Sequence, residues 1–220
     1  MKVLIFDTET TGLPPSRTFN KGRDVLDKWP YIVQLSYILY DTDKNEIIHI
    51  RDNIIKLPSS VQMTPENMKI HGITHEIINR LGKEKNVVLM QFIQDCINID
   101  RIVAHNLSFD LLMIQAEMER LNIDYYNDFY ATINKKLYCT MQASIDMCKL
   151  IRTNKQGKDY NKFPTLSELH LHLFGTVPCN LHNALNDVII CLRCFYKINF
   201  DKDIFQQNVY IKELASPLFG

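Results

Sequence analysis

Residues 2–14 read KVLIFDTETTGLP, a stretch in which an apolar strand pattern is followed by two carboxylates. The run VLIF is short, continuous and rich in β-branched and aromatic side chains, which predicts a buried central strand. Side chains on a strand alternate between faces, so Asp7 and Glu9 share one face. Two buried acids repel each other unless cations lie between them, and divalent ions with oxygen ligands are the usual solution. The stretch predicts a metal site, with a solvated turn after the strand as the alternative.

Composition limits the classes of protein that the chain can form. With 220 residues and 46% hydrophobic composition, we expect one domain at residues 1–200 and a tail at 201–220 packed on it. The formal net charge of +0 argues against coating long duplexes but leaves a local contact with a strand end open. Six cysteines without a spaced framework predict reduced thiols. The sequence has no signal peptide pattern and no bilayer-spanning segment, so we expect a soluble intracellular protein, cytoplasmic or nuclear, with no membrane partner.

The first strand is followed by two further strand patterns. Residues 31–40 (YIVQLSYILY) and 47–57 predict strands joined across the turn-rich DTDKN, which makes an antiparallel meander with the first strand. A helix is expected at 63–72, ending at His71-Gly72, with Thr74 capping the next helix. Residues 87–99 have the apolar spacing of an amphipathic helix.

A second polar segment follows an apolar strand at residues 101–110, RIVAHNLSFD. Ser108 is expected to cap a helix over 109–121, which would place Asp110 in its first turn. Open α/β sheets build their sites at such strand ends. The alternative is a carboxylate that is simply favoured by the helix dipole.

The third polar segment, LHNALND at residues 181–187, opens an apolar helix. If His182 lies at or just before the helix start, Asp187 lies about one and a half turns further on, and both can face one cleft. Each residue could instead serve only as part of a helix start. That reading weakens when the three segments are considered together.

The segments FDTETTGL, VAHNLSFD and HNALNDV, in this order and at these separations, closely resemble the three motifs of the DnaQ-like, DEDDh-type 3′–5′ exonucleases. The resemblance spans residues 3 to about 196. It implies an α/β, ribonuclease-H-like fold with a central mixed five-stranded sheet flanked by helices. By this resemblance the four acidic metal ligands and the histidine that names the branch are Asp7, Glu9, Asp110, Asp187 and His182.

The same resemblance implies a reaction and its cofactors. We expect release of nucleoside monophosphates from the 3′ end of single-stranded or frayed DNA with two Mg²⁺ or Mn²⁺ ions. Asp7 would bridge the ions, Glu9 and Asp187 would help hold the ion that binds the attacking water, and Asp110 would act on the other side. Histidine side chains titrate near neutrality, which suits His182 to take a proton as general base.

Substrate contacts are also implied by the resemblance. Thr10 and the backbone around Thr11 match positions that recognise the terminal 3′-hydroxyl, and Leu13 matches an apolar wedge between the last two bases. Asn106 and Phe109 line the same pocket. Plain core packing is the alternative for Leu13 and Phe109. Unstacking a base is cheapest at a free end, so single-stranded or frayed ends should be preferred.

Basic residues crowd the stretch between 149 and 162, which contains Gly157 and precedes a helix expected at 165–174. A mobile loop is expected here, and Lys155, Lys158 and Lys162 are candidates for contact with the phosphate backbone. A solvated loop is the alternative.

The chain departs from many relatives at Tyr138-Cys139-Thr140, where an acid-Thr pair is usual, so support around the metal ligands is less complete.

Two alternative functions use the same residues. A 3′–5′ exoribonuclease acting on RNA ends or short RNA needs the same five residues, because sugar preference depends on contacts to the 2′-hydroxyl. A catalytically silent nucleic-acid-binding module would keep the fold, although the full set of acids and His182 argues against it. DNA is favoured over RNA as the partner, and a proofreading role would need a separate polymerase or replication partner.

Overall fold

The computed structural model describes residues 1–19 and 26–219, and its centre is a five-stranded mixed sheet. Its strands run in the order β3-β2-β1-β4-β5. They are β1 (Lys2–Thr10), β2 (Ile32–Asp41), β3 (Glu46–Ile54), β4 (Arg101–Ala104) and β5 (Leu137–Cys139). Strand β1 is antiparallel to β2 and parallel to β4, and β4 is parallel to β5. The expected sheet and the β1–β2–β3 meander are confirmed.

Strand β1 is the middle strand because both of its faces are apolar. Leu4 and Phe6 are fully buried on one face against Phe92. Val3 and Ile5 are fully buried on the other face, in the cluster that also holds Phe195. The continuous apolar run therefore supplies two cores, and polar side chains appear only where the strand leaves them.

Helices cover both faces of the sheet. In the described part of the chain they are α1 (Pro65–His71), α2 (His75–Leu81), α3 (Lys85–Asp95), α4 (Leu107–Arg120), α5 (Ala131–Ile133), α6 (Thr140–Ala143), α7 (Ile145–Cys148), α8 (Leu166–Phe174), α9 (Ala184–Phe200), α10 (Ile204–Gln207) and α11 (Val209–Ala215). A π-helical turn (Tyr125–Tyr130) and a 3₁₀ turn (Ser216–Leu218) complete them. The expected stop of α1 at Gly72, with φ 72°, and the Thr74 cap of α2 are confirmed.

One expected helix cap is wrong. Ser108 lies inside α4, and the residue before the helix is Asn106, in the left-handed region with φ 70°. Asparagine tolerates this conformation better than most residues, so the chain turns sharply after β4 and the helix begins at Leu107. Helix α3 likewise ends at Asp95, four residues before the predicted boundary.

The lysine-rich stretch is a β-hairpin and not an irregular loop. Strands β6 (Ile151–Thr153) and β7 (Asp159–Asn161) pair antiparallel. In the turn between them, the Asn154 side chain accepts bonds from the backbone N–H groups of Gln156 and Lys158, and Gly157 adopts φ 76°. An asparagine that closes the turn and a glycine that takes its left-handed position favour pairing over a mobile loop.

The C-terminal segment lies against α9. Ile204, Ile211 and Leu218 are buried in the cluster that α9 shares with the sheet. Arg193 of α9 donates from Nε and Nη2 to the two carboxylate oxygens of Asp203, at 2.9 and 2.6 Å. Its guanidinium also lies over the Phe205 ring. Across the described ranges, every helix is too short or too polar to cross a membrane.

Candidate active site

Three carboxylates converge where β1 meets the start of α9. One oxygen each from Asp7, Glu9 and Asp187 lies within 4.8 Å of the others. Asp7 and Glu9 share a face of β1, as the two-residue period requires. Asp187 lies in the first turn of α9, which packs across β1 and β2. The two distant segments therefore supply one acidic cluster.

Asp110 approaches the cluster from α4 and is held by Thr8. The buried Oδ1 of Asp110 accepts bonds from the Thr8 backbone N–H at 3.1 Å and from the Thr8 hydroxyl at 2.8 Å. Thr8 lies between Asp7 and Glu9 in β1. The hydrogen bonds thus fix the first turn of α4 to the strand that carries the other two acids.

The four acids share one electrostatic environment. Burial, followed by repulsion from Asp110, Asp187 and Glu9, raises the pKa of Asp7. Burial, with repulsion from Asp187 and Asp110, raises the pKa of Glu9 to about 8. Burial likewise raises the pKa of Asp110 and of Asp187 to about 7, against hydrogen bonds that favour their ionised forms. Within the described ranges no lysine, arginine or histidine side chain forms a salt bridge to them.

His182 lies beside this cluster in an unusual backbone conformation. It precedes α9 by two residues, has φ 69° and is exposed. Its backbone N–H donates to Asp187 Oδ2 at 3.0 Å. The helix cap is Asn183, whose side chain accepts from the Asn186 N–H. The histidine is therefore fixed at its backbone while its ring faces solvent.

Strand β2 holds the start of α9, a role that the motifs did not reveal. Gln34 is paired opposite Glu9 and is buried. Its Oε1 accepts the Ala184 N–H at 3.1 Å, and its Nε2 donates to Asp52 Oδ1 at 2.8 Å. The signal in the sequence is a polar residue inside the apolar strand IVQLSYILY. A single buried amide thus connects β2, β3 and the helix that carries Asp187.

The turn after β1 is tied down by hydrogen bonds. The Thr10 hydroxyl donates to the Gly12 carbonyl at 2.6 Å. Thr11 exchanges bonds with Tyr31: its N–H donates to the Tyr31 carbonyl and its hydroxyl oxygen accepts the Tyr31 N–H, both at 2.9 Å. Leu13 is 82% exposed, so the alternative of core packing is wrong for this residue.

A groove of about 660 Å³ runs past this turn. Leu13, Asn106 and Phe109 line it together, as the sequence predicts for one pocket. Phe109 also packs against the core, so both interpretations of this ring apply. Met141 and Phe163 also line this groove, although no sequence motif indicates them.

The basic hairpin directly precedes the groove residue Phe163 in the sequence, and its lysines differ in their salt bridges. Lys155 and Lys158 are exposed at its turn. Lys162 Nζ, at its base, forms a 2.5 Å salt bridge with Glu168 Oε1. Lys162 is therefore already neutralised, whereas the other two make no salt bridge to a described carboxylate.

The segment Tyr138-Cys139-Thr140, where the chain departs from the family pattern, is held by its own hydrogen bonds. Cys139 is half-buried, and the buried Thr140 hydroxyl lies 3.0 Å from His105 Nδ1. His105 Nε2 lies 3.0 Å from the Pro164 carbonyl, which can only accept, so Nε2 carries the proton. Burial lowers the pKa of His105 to about 4, so the ring is neutral at ordinary pH. The pair joins the end of β4 to the segment before α8.

The fold and its acidic cluster define a class of protein. A family model described as RNase T, exonuclease, matches residues 4–195. The chain belongs to this exonuclease family, and the expected resemblance to DnaQ-like exonucleases of the ribonuclease-H-like superfamily is confirmed.

Three known proteins are similar to this chain in sequence or in structure. The DNA polymerase III subunit epsilon of Buchnera aphidicola subsp. Baizongia pistaciae is 25% identical over 167 residues, covering 72% of this chain and 63% of that protein. E. coli exonuclease I in complex with a dT13 oligonucleotide has TM-score 0.63 and 17% identity over 89% of this chain and 41% of that chain. Exonuclease I from Methylocaldum szegediense has TM-score 0.64 and 18% identity over 93% of this chain and 42% of that chain. The chain therefore spans less than two thirds of each relative.

Proposed function

We propose that the chain is a metal-dependent 3′–5′ exonuclease that releases nucleoside monophosphates from single-stranded or frayed DNA. The convergence of Asp7, Glu9 and Asp187, with Asp110 held beside them, is the observation that carries this proposal. Membership of the exonuclease family supports it. We assign the exonuclease domain to residues 1–200 and treat residues 201–220 as a tail packed on it.

The donor set fits two hard divalent cations. All four side chains offer carboxylate oxygens, which Mg²⁺ and Mn²⁺ prefer. Burial raises their pKa values, so bound cations would restore the ionised forms. Asp7, on which the charges of all three other acids act, would help hold both ions. Glu9 and Asp187 would hold one ion, and Asp110 would hold the other. When bound, such ions lower the pKa of water and offset charge on the phosphate and leaving oxygen.

His182 is the proposed general base. A neutral imidazole nitrogen would take a proton from the attacking water, and the ring would carry it to solvent. The bond from the His182 N–H to Asp187 Oδ2 supports this role, because it keeps the residue next to an acid of the cluster. The exposed ring has room to turn toward a bound 3′ end.

The turn after β1 would bind the 3′-terminal nucleotide. The Thr10 hydroxyl and the backbone near Thr11 would recognise the 3′-hydroxyl, and Asn106 and Phe109 would line the pocket. The exposure of Leu13 supports its role as a wedge between the last two bases, because an exposed leucine contributes little to the core. A strand end that is already unpaired offers such a wedge the least resistance.

The hairpin would guide the phosphate backbone. Lys155 and Lys158 are exposed and free to contact phosphates, whereas Lys162 would first have to leave Glu168. Replacing Lys155 and Lys158 with alanine should reduce the slope of log K against log salt by about 1–2, and the matched Lys162→Ala change should alter it less. Equal slopes for the wild type, the Lys155/Lys158 double variant and Lys162→Ala would contradict a role of the hairpin in guiding the phosphate backbone.

DNA is the proposed nucleic acid, and a polymerase is the proposed partner for any proofreading role. The dT13 oligonucleotide in the E. coli exonuclease I complex supports the first, and the polymerase subunit from Buchnera supports the second. An exoribonuclease acting on RNA ends or short RNA is the second candidate, because the acids and His182 serve either polymer. A silent binding module is the third.

The test is degradation of matched 3′-labelled and 5′-labelled single strands of DNA and RNA with Mg²⁺ or Mn²⁺. We expect stepwise shortening from the 3′ end, release of monophosphates, and no shortening with Asp7→Ala or in EDTA. Faster loss of RNA would favour the exoribonuclease. No metal-dependent cleavage of either polymer, together with retained binding, would replace the proposal with the binding module.

The proposed base is tested separately. His182→Ala should lower kcat by about 10²–10⁴-fold while leaving binding of a 3′ end within about twofold, because a general base acts only in the chemical step. Asn180→Ala, another exposed residue with positive φ in the same loop, is the matched control. A parallel loss of binding and turnover in His182→Ala would show a structural histidine instead.

A further inference from the structure

The groove past the β1 turn extends beyond the residues assigned to the terminal nucleotide. Its lining also includes Met141 and Gln142 from α6 and Phe163 from the segment between β7 and α8. The Phe163 ring is 54% exposed. About half of its surface therefore remains available to a ligand that enters the groove.

The backbone around Phe163 is fixed on both sides. Before it, the Lys162 N–H donates to the Leu150 carbonyl at 2.8 Å and closes the hairpin. After it, the Pro164 carbonyl lies 3.0 Å from His105 Nε2. Thr165 and Glu168 then form a reciprocal capping box at the start of α8. The backbone that carries the ring is thus fixed on both sides, which reduces the entropy lost when a ligand binds.

The chemistry of the groove suits an unpaired nucleic acid strand. Phe163 and Leu13 supply two exposed apolar surfaces, Asn106 and Gln142 supply amides, and Arg17 supplies a positive charge. Every base has a π-face that can stack on an aromatic ring once the strand is unpaired. The basic hairpin ends at Asn161, directly before Lys162 and Phe163, so positive charge precedes the aromatic ring along the chain.

We propose that Phe163 stacks on an unpaired base upstream of the 3′-terminal nucleotide, which makes a single strand of several nucleotides the preferred substrate. The inference rests on the proposed function, because that function places the 3′ end beside Leu13 and Asn106. Met141 supports the edge of the stacked base, and Arg17 contacts its phosphate. A duplex offers no free base face at this position and binds more weakly.

The test separates upstream binding from chemistry. We compare Phe163→Ala, Phe163→Leu and Phe163→Trp on a ten-nucleotide single strand and on thymidine 5′-(4-nitrophenyl phosphate), which has no upstream base. Phe163→Ala should raise KM for the strand about 5- to 100-fold, with the nitrophenyl ester affected less than twofold. Leucine keeps an apolar side chain but has no flat ring, so it should behave like alanine, and tryptophan should restore the wild-type KM. Tyr210→Ala, which removes an exposed ring on α11, is the control.

Two outcomes would overturn the inference. One is an unchanged KM for the strand in Phe163→Ala, and the other is an equal loss on both substrates, which would show a structural role. If the wild-type protein hydrolyses neither substrate, the proposed function fails, and fluorescence anisotropy with the labelled strand still tests Phe163. Equal Kd values for wild type and Phe163→Ala in that assay would overturn the inference as well.

Discussion

Replacing Glu9 with glutamine should stabilise the metal-free protein at pH 8. Burial and the neighbouring acids raise the pKa of Glu9 from 4.5 to about 8. An acid with a raised folded pKa favours the folded state below its unfolded pKa, and this contribution is lost as pH rises through the folded pKa. The window here runs from pH 4.5 to about 8. Glutamine keeps the size of the side chain and removes the charge.

The size of the effect follows from the same pKa shift. Each pH unit between the two pKa values corresponds to about 1.4 kcal/mol, so the ionised side chain costs the folded state up to about 5 kcal/mol at pH 8. Partial contact of Glu9 with solvent screens this cost, and we expect about 2–3 kcal/mol. For a domain of this size that raises Tm by about 4–12 °C at pH 8. At pH 6 the gain should fall to about 2–4 °C, because folded Glu9 is then largely protonated.

The assay is thermal unfolding of wild type and Glu9→Gln in EDTA at pH 6 and pH 8. Comparing the two proteins cancels the titration of the histidines, which they share. Glu213→Gln, an exposed glutamate on α11, is the control and should shift Tm by less than about 2 °C. Adding Mg²⁺ at pH 8 should raise the Tm of wild type more than that of Glu9→Gln. A lower Tm for Glu9→Gln at pH 8, or a pH-independent gain, would refute the reasoning.

Three further changes have defined outcomes. Thr8→Val removes a hydroxyl donor to the buried Asp110 carboxylate, so kcat/KM should fall about 10-fold or more. Loss of this bond raises the pKa of Asp110, so the pH profile of kcat/KM should move to higher pH. An unmoved profile would contradict this. Leu13→Ala should leave Tm within about 2 °C, since the side chain is exposed, yet slow degradation of blunt duplex ends more than of single strands; equal rates would contradict the wedge. Arg193→Met removes the bidentate partner of Asp203, so thermal unfolding should show a loss of about 3 kcal/mol, and an unchanged Tm would argue against tail packing through this pair.

Strand β1 with its two acids and the meander could be predicted from local patterns, whereas the five-stranded sheet and the set of four acids were implied by the family resemblance. An apolar run followed by D-x-E fixes a buried strand and the face of its acids, and the meander follows from two more runs and a turn. The position of Asp110 in the first turn of a helix was also predicted, although this helix begins at Leu107 and not at Phe109. Asn106 starts the turn through its backbone conformation, which a search for a capping side chain does not detect.

The features that sequence reasoning missed depend on contacts between distant segments. Gln34 reads as one polar residue in an apolar strand, and only the packing of α9 shows its bond to the Ala184 N–H. The hairpin of residues 151–161 has short, exposed strands, so its residues lack the alternation that identifies a half-buried strand. Phe163 has no periodic neighbour, and its place in the groove follows from the fixed positions of Pro164 and α8.

The central claim is that the four acids hold two divalent ions at a 3′ end. Its most direct test is a count of Mn²⁺ bound per chain, by isothermal titration and electron paramagnetic resonance, with thymidine 5′-monophosphate present. We expect two Mn²⁺ per wild-type chain with a spin-coupled spectrum, and at most one, uncoupled, in Asp7→Asn. A wild-type count of one or none, or two coupled ions that persist in Asp7→Asn, would contradict the account.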